Sequence, residues 1–513
     1  MWDSSIINEL ETKRQTVVNG NPERIAKQHA AGKLTAHERI DILFDTGTFH
    51  EIDCFMESRS TDFGMEKKRS LGDGVVTGYG KINGHLVFVS SQDFTINGGS
   101  LGEYHAKRIC RAMDMAMDMK APFVSINDSG GARIEEGIDS LNGYAELFHR
   151  NVKASGVIPQ ISVIMGPCAG GACYSPALTD FIFMVRHKSY MFITGPAVIK
   201  AVTYEEVTPE ELGGADMHAS KSGVTHFVYD DDKTCLEGVR RLLSFLPQAA
   251  GEYIPSSESM PVDLCRGLQE VVTDNRKKCY DVRAVIGSFT DKDSFMEVQT
   301  GFARNVVVGF ARLDGKTIGC VANQPNWMGG VLDIDASDKI ARFVRFCNCY
   351  GIPLVTFVDV PGYMPGKTQE SGGIIRHGAK ILYAYSEATM PKVTVILRKA
   401  YGGAYIAMCS KGLGADIVYA WPTAEIAVMG AEGAVNIVAK KAIETSADPF
   451  AERQKQIEAY EKQYLNPYIA ASRGYVDEVI MPDEMRGKIV SALEMLAKKK
   501  IDNKKAFRGN MPL

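Results

Sequence analysis

Two glycine pairs, each set behind an apolar run, are the residues of this chain best suited to chemistry. The first closes Ile158-Pro-Gln-Ile-Ser-Val-Ile-Met-Gly-Pro-Cys-Ala-Gly-Gly-Ala172, and the second closes Met390-Pro-Lys-Val-Thr-Val-Ile-Leu-Arg-Lys-Ala-Tyr-Gly-Gly-Ala404. A backbone bare of side chains lets a carbonyl oxygen come close. If a helix starts at such a pair, as Cys173-Tyr-Ser-Pro-Ala177 suggests, its first N–H groups are unpaired and lie at the positive end of the helix dipole. Such donors suit an oxygen that gains negative charge, such as a thioester oxygen becoming an enolate. Loss of one such donor costs about 2.7–4 kcal/mol of activation energy in known sites. A single Gly-Gly pair is better explained by tight packing of a helix on a strand. Two pairs in matching settings point instead to two oxyanions.

The matching extends well beyond the glycines. Pro159 and Pro391, like Gly170 and Gly402, are 232 residues apart, and Ala121-Pro-Phe-Val-Ser-Ile-Asn-Asp128 answers Ile352-Pro-Leu-Val-Thr-Phe-Val-Asp359 at 231. Leu178-Thr-Asp180 answers Leu413-Gly-Ala-Asp416, and Thr194-Gly195 answers Met429-Gly430. One fold is therefore expected twice. Each half should open on a hairpin, about Asn83-Gly84 in the first and Asp314-Gly315 in the second, because such dipeptides favour two-residue hairpin turns. Helices are expected over 102–120, 136–153 and 338–350, and strands over 123–127, 160–165, 354–358 and 392–397. This alternation indicates an α/β core. Residues 5–45 read as a helical lead-in, with Thr35 and Glu38 spaced as a capping box. The proline- and serine-bearing stretch 247–281 separates the halves, and we set the domains at 1–255 and 256–513.

Composition limits the function classes. A chain of 513 residues exceeds one core. A net charge of −4 gives no pull toward nucleic acid. No apolar run approaches the ~18 residues of a membrane span, and the start lacks the basic flank and apolar run of a signal peptide, so a cytoplasmic protein without direct membrane insertion is expected. The 11 cysteines are scattered without a CxxC pair, which supports neither a zinc ribbon nor a redox motif, and no metal site is expected. There is no G-x-S-x-G, no HExxH and no nucleophile–histidine–acid set. His105, His149 and His377 fall in helical stretches as structural or solvated residues. Chemistry run by backbone amides fits better. Ser129-Gly130-Gly131-Ala132-Arg133 and Ser371-Gly372-Gly373-Ile374 either cradle a phosphate or simply turn the chain. Lys67, Lys68 and Arg69 are basic candidates in a loop. Arg398 and Lys399 give the second glycine pair a more polar approach, better suited to a urea-like or carboxylated ligand.

At these residues the chain resembles the carboxyltransferase subunits of biotin-dependent acyl-CoA carboxylases, near the propionyl-CoA carboxylase β and methylmalonyl-CoA decarboxylase α subunits. The resemblance runs from Lys27-Gln-His-Ala-Ala-Gly-Lys-Leu-Thr-Ala36 to Gly509-Asn-Met-Pro-Leu513 and includes Gly372-Gly-Ile-Ile-Arg-His-Gly-Ala-Lys380 and Ala420-Trp-Pro-Thr-Ala-Glu-Ile-Ala-Val-Met-Gly430. It implies two tandem crotonase-like domains, 1–255 on the acyl-CoA side and 256–513 on the biotin side. It implies a homohexamer, a dimer of trimers, with the active site between the N-domain of one subunit and the C-domain of another. Gly171 and Ala172 would hold the acyl-CoA enolate, and Gly403 and Ala404 the ureido oxygen of biotin. Gly130, Gly131, Ala132, Gly170, Gly402, Tyr405 and Ile406 would line the substrates.

The implied reaction passes CO2 between N1-carboxybiotin and the α-carbon of a short-chain acyl-CoA, the released biotin acting as base, so no catalytic dyad is needed. The chain has no Ala-Met-Lys-Met motif and no ATP-grasp-like segment, so biotin would arrive on a biotin carboxyl carrier protein. A biotin carboxylase subunit or a membrane decarboxylase subunit would complete the system, since the chemistry runs in either direction. Departures from the family pattern are Ile406, where many propionyl-CoA enzymes have Asp, Glu135 for a commoner Gln, and Gln324-Pro-Asn-Trp327. Trp327 either narrows the biotin side or is a packing aromatic. A crotonase-type hydratase, which would need a placed Glu or Asp, and an inert ring scaffold are the rival readings.

Overall fold

Why each half folds alike is visible first in its hairpin. In the computed structural model, which describes residues 3–260 and 267–499, strands β2 (Val75–Ile82) and β3 (His85–Gln92) pair antiparallel. Asn83 and Gly84 turn between them at φ 52° and 80°, the left-handed geometry of a type I′ turn. Asp314 and Gly315 repeat it at 52° and 73°.

The chain divides into two compact units, Met1–Tyr253 and Ile254–Leu513. The first sheet also holds β1 (His50–Glu51), β4 (Phe123–Ser129), β5 (Gln160–Ala169), β6 (Phe181–Val185), β7 (Tyr190–Phe192) and β8 (Phe227–Tyr229). Its order is β1-β2-β3-β4-β5-β6-β8, with β7 on the far end of β5. The second unit contains β9 (Met296–Val298), β10 (Val306–Leu313), β11 (Lys316–Asn323), β12 (Leu354–Val360), β13 (Lys392–Tyr401), β14 (Ile417–Ala420), β15 (Glu425–Ala427) and β16 (Glu478–Val479). Its order is β9-β10-β11-β12-β13-β14-β16, with β15 on β13. Strand for strand the topologies coincide, as the 231–232 spacing requires. The fold is α/β, with each sheet parallel from its third strand onward.

Helices Glu103–Asp118 and Ile138–Ala154 serve the first unit, and Ile334–Tyr350 and Ile374–Glu387 the second. The central strand β12 is buried along its whole length, as a parallel strand covered on both faces must be. The expected capping box is present at the helix Ala36–Leu43. There the Glu38 N–H donates to Thr35 Oγ1 at 3.2 Å and the Thr35 N–H to Glu38 Oε2 at 2.8 Å. Asp180 and Asp416 perform one job in the two units, accepting from the N–H of Gln160 and Lys392 at 2.9 and 2.8 Å. Their side chains thus fix where β5 and β13 begin.

A buried cation clamps each hairpin from behind. Arg108 donates to the carbonyls of Gly72, Val75 and Ile52 and pairs with Glu51. Lys339, 231 residues on, donates to the carbonyls of Gln299, Phe302 and Val306 at 2.8–3.0 Å. Both add donors to buried backbone carbonyls at the foot of the hairpin.

Candidate functional site

Each glycine pair sits where a buried strand breaks its register. Along β4 and β5, Asn127 faces Ile164 but Ser129 faces Cys168. Along β12 and β13, Val358 faces Ile396 but Val360 faces Ala400. The same bulge thus re-aims the end of both strands. Gly170 then takes φ 63° and Gly402 φ 59°, left-handed values that favour glycine. The chain turns at once into a helical segment, Gly170–Cys173 running on to Ala177 in one half and Gly402–Ala407 in the other.

The second glycine of each pair is different. Neither Gly171 nor Gly403 has a positive φ. A Cβ on Gly171 would only touch the Tyr144 ring at 3.5 Å, and one on Gly403 would meet nothing within 4 Å. The first glycine is thus required by the turn and the second by neither turn nor packing. What the second leaves clear is the approach to the amides of Gly171-Ala172 and Gly403-Ala404, which lie in a first helical turn and have no acceptor within it. This geometry suits an anionic oxygen at each turn.

The structure brings Gly130, Gly131 and Ala132 to the first turn. Gly131 (φ 106°) lies so close that a Cβ there would stand 3.0 Å from the Ala169 carbonyl. Its loop is tied down by Leu101, whose N–H donates to Gly131 O at 2.9 Å, and by the buried Arg133, paired with Asp73 at 2.7 Å and Glu136 at 2.8 Å. Behind it, His105 donates from Nδ1 to the Asp73 carbonyl and accepts the Gln92 amide, while Gln92 Oε1 accepts the Asp128 N–H. Burial, with the charge of Arg133, holds that imidazole neutral, its pKa pulled down to about 3.

Tyr405 is half-buried and Ile406 exposed beside the second turn. Their counterparts at the first are Cys173, which donates to Cys168 O at 2.6 Å, and the exposed Tyr174. The second turn has an anchor of its own: the Tyr401 hydroxyl bonds Glu425, and Arg276 pairs with Glu425 and Glu461. Burial raises the Glu425 carboxyl, and Tyr401 and Arg276 pull it back.

Two expectations are corrected. Arg398 does not approach the second turn. It is buried, paired with Asp359 at 2.9 Å and stacked on Tyr280 at 4.8 Å. Ser371-Gly372-Gly373 is not a free glycine loop: Ser371 and Gly372 end the helix Lys367–Gly372, and Gly373 alone parts it from Ile374–Glu387. The counterpart of Gly131 is Gly362: Leu101 bridges Ala132 in one half as Leu332 bridges Tyr363 in the other.

One pair of loops escaped the sequence reading. Asn97-Gly98-Gly99 and Met328-Gly329-Gly330 hold positive φ throughout, 49–63° and 50–76°. Gly98 O accepts the Gly130 N–H at 3.0 Å. Their 231-residue spacing was the available signal. In the first half this loop borders a cavity of about 590 Å³ ringed by Arg24, Lys27, Lys33, Lys67 and Lys68. Arg24 donates to Thr95 O at 2.9 Å, and Lys33 pairs with Asp128 at 2.6 Å while lying over the Phe94 ring. Burial lowers the Lys33 ammonium against the pull of Asp128. Asp128 is also paired with Arg39, so the cavity wall is strongly cationic.

Comparison with known proteins agrees with this geometry. The carboxyl transferase domain model matches residues 27–511. The chain is 56% identical over 510 residues to a propionyl-CoA carboxylase carboxyltransferase subunit of Haloferax mediterranei, covering 99% of each chain. It is 54% identical to methylmalonyl-CoA decarboxylase subunit alpha of Propionigenium modestum, again covering 99% of each. The crystal structure of transcarboxylase 12S, a hexamer assembly with methylmalonyl-coenzyme A and methylmalonic acid bound, superposes with a TM-score of 0.97 at 52% identity, over 100% of this chain and 99% of that one.

Proposed function

From the premise that the chain belongs to the carboxyl transferase family, we propose that it moves CO2 between N1-carboxybiotin on a carrier protein and the α-carbon of a short-chain acyl-CoA, propionyl-CoA to methylmalonyl-CoA in the first instance. The observation that carries this reading is the doubled turn whose second glycine is free of any structural demand. Gly171 and Ala172 hold the thioester oxygen, and their N–H groups strengthen as it gains charge. Gly403 and Ala404 hold the ureido oxygen. Carboxybiotin, when bound, supplies the carboxyl group. Gly130, Gly131, Ala132 and Gly170 border the acyl-CoA, while Gly402, Tyr405 and Ile406 border the other site. The cationic cavity fits the phosphates of coenzyme A, with Lys67 and Lys68 at its rim.

The reverse direction is favoured by the decarboxylase relatives. On either reading the partners are a biotin carboxyl carrier protein and a biotin carboxylase or membrane decarboxylase subunit. We place the chain in a homohexamer, a dimer of trimers. Exposed apolar residues at repeat-equivalent positions support this, Tyr174 with Ile406, Ile193 with Val428 and Val202 with Ile437, since such faces call for cover. The ten described cysteines are free thiols, in keeping with a reducing, cytoplasmic setting. Among the described residues no helix is long and apolar enough to cross a membrane.

The test is the purified chain with methylmalonyl-CoA, malonyl-CoA and free biotin. Biotin-dependent loss of the carboxyl group is expected, faster from methylmalonyl-CoA. No loss from either ester, even with a biotinylated carrier present, would reject the reading.

A further inference from the structure

The second-half loop that answers the edge of the cationic cavity carries no cluster of charges. It carries an exposed tryptophan. Trp327 stands where the first half has Ile96, 231 residues earlier. It is 40% exposed, and its neighbour Met328 is 46% exposed. The guanidinium of Arg304 lies over its ring at 3.8 Å, a cation–π contact that covers one face of the indole.

The loop is rigid. The Trp327 N–H donates to Gln324 O at 3.0 Å, and the Gly330 N–H to Trp327 O at 3.0 Å. Gln324 is fixed by the Val282 N–H at 3.1 Å and by Asp281 at 2.6 Å, and Asn323 donates to Gly330 O at 3.1 Å. The loop also shares a strand end with the second glycine turn. A Cβ on Gly330 would stand 2.9 Å from Asp359 O, and the next residue, Val360, pairs with Ala400, two residues before Gly402.

Charge separates the two loops. Five cations around the first suit a ligand with several phosphates. One cation stacked on one aromatic ring suits a flat, largely apolar ring system that carries a single negative charge. Carboxybiotin meets this in part, with a planar ureido ring bearing one carboxylate and an apolar, puckered thiolane ring fused to it.

We propose that Trp327, backed by Arg304, is the stacking platform on which the bicyclic ring of biotin lies as its ureido oxygen enters the second glycine turn. The proposal rests on the assignment of that turn to biotin. Aromatic faces hold such rings without directional hydrogen bonds, so the platform sets affinity and leaves the chemical step to the amides.

The experiment uses the full chain, free biotin and methylmalonyl-CoA. Of the three tryptophans, Trp421 is buried, so biotin should change the fluorescence of Trp327. This change is lost in Trp327→Phe, whose KM for biotin should rise less than that of Trp327→Ala because a ring remains. Trp327→Ala should raise KM for biotin about tenfold, the scale of one good ring contact, with KM for methylmalonyl-CoA unchanged; Arg304→Gln should raise it less. A biotin KM in Trp327→Ala equal to wild type, in a protein that turns over with biotin, overturns the platform and leaves the carboxyltransferase reading standing. Absence of biotin-dependent turnover in wild type, with free biotin and with a biotinylated carrier alike, overturns both.

Discussion

The two halves of this chain place one turn on one strand end and surround it differently. Asp128 and Asp359 occupy equivalent positions. Asp128 is neutralised by Lys33 and Arg39, which come from the N-terminal helical region. Asp359 is neutralised by Arg398, from the neighbouring strand, and accepts a hydrogen bond from the Tyr280 hydroxyl. Arg398 stands where the first half has Gly166, and there a Cβ would fall 1.9 Å from Asp128 Oδ1. The carboxylate is kept and its counter-ion is exchanged. What both halves retain is the backbone path, meaning the bulge, the left-handed first glycine and the open second glycine. What differs is the surroundings: five cations ring a cavity beside the Asn97–Gly99 loop in the first half, and the second half has an Arg–Trp stack and a Tyr–Glu anchor. On the proposed function, the shared features serve the common task of binding an oxyanion, and the divergent ones select which molecule carries it.

The largest stability effects should come from the clamps behind the hairpins. Arg108→Met and Lys339→Met each remove several donors to buried carbonyls, and each buried acceptor left unsatisfied costs about 1–3 kcal/mol. Thermal unfolding should show both variants strongly destabilised. Arg108→Met should be the worse, because it also removes the Arg108–Glu51 ion pair. A negligible change in either would break the equivalence of the two clamps.

A smaller asymmetry is expected in acid. The His105 imidazole has a native pKa near 3 against 6.5 when unfolded. Between these values the unfolded chain binds the extra proton, so stability rises with pH across this window and is flat above it. The slope reaches about 1.4 kcal/mol per pH unit. The equivalent residue in the second half is Ala336, which titrates nothing. His105→Gln should therefore flatten the loss of stability below pH 6.5, as followed by denaturant unfolding at several pH values. An unchanged slope would remove His105 from the account.

The smallest effect concerns the rim of the cavity. Lys67 and Lys68 are exposed, and such charges contribute about 0–1 kcal/mol each and are screened by salt. Lys67→Ala and Lys68→Ala should raise KM for the CoA ester a few-fold at low salt and hardly at all at high salt, leaving KM for biotin alone. An equal rise for biotin would contradict the division between halves.

Much of this was legible in the chain because it is local or repeated. Asn83-Gly84, the Thr35–Glu38 box and the glycine pairs act within a few residues, and the 231–232 spacing carried the architecture from one half to the other. The misreadings share one cause. Whether Arg398 faces a ligand depends on Asp359, and whether Gly372-Gly373 forms a loop depends on where the preceding helix ends. Lys33 reaches Asp128 across 95 residues of chain, a contact that no local pattern announces. The short strands β7 and β15 add no periodicity of their own, yet they hold the far ends of β5 and β13 where the turns form.

The central claim is that the two turns bind different partners. It is tested most directly by titrating propionyl-CoA into Gly171→Val and Gly403→Val while following biotin-dependent turnover. Both positions have ordinary backbone angles and room for a side chain, so both variants should fold. Loss of a turn's donors or of access to them is worth about 10²–10³ in rate, so both should lose turnover. Gly403→Val should still bind propionyl-CoA as wild type does, and Gly171→Val should not. Loss of CoA binding in Gly403→Val, or its retention in Gly171→Val, would contradict the account.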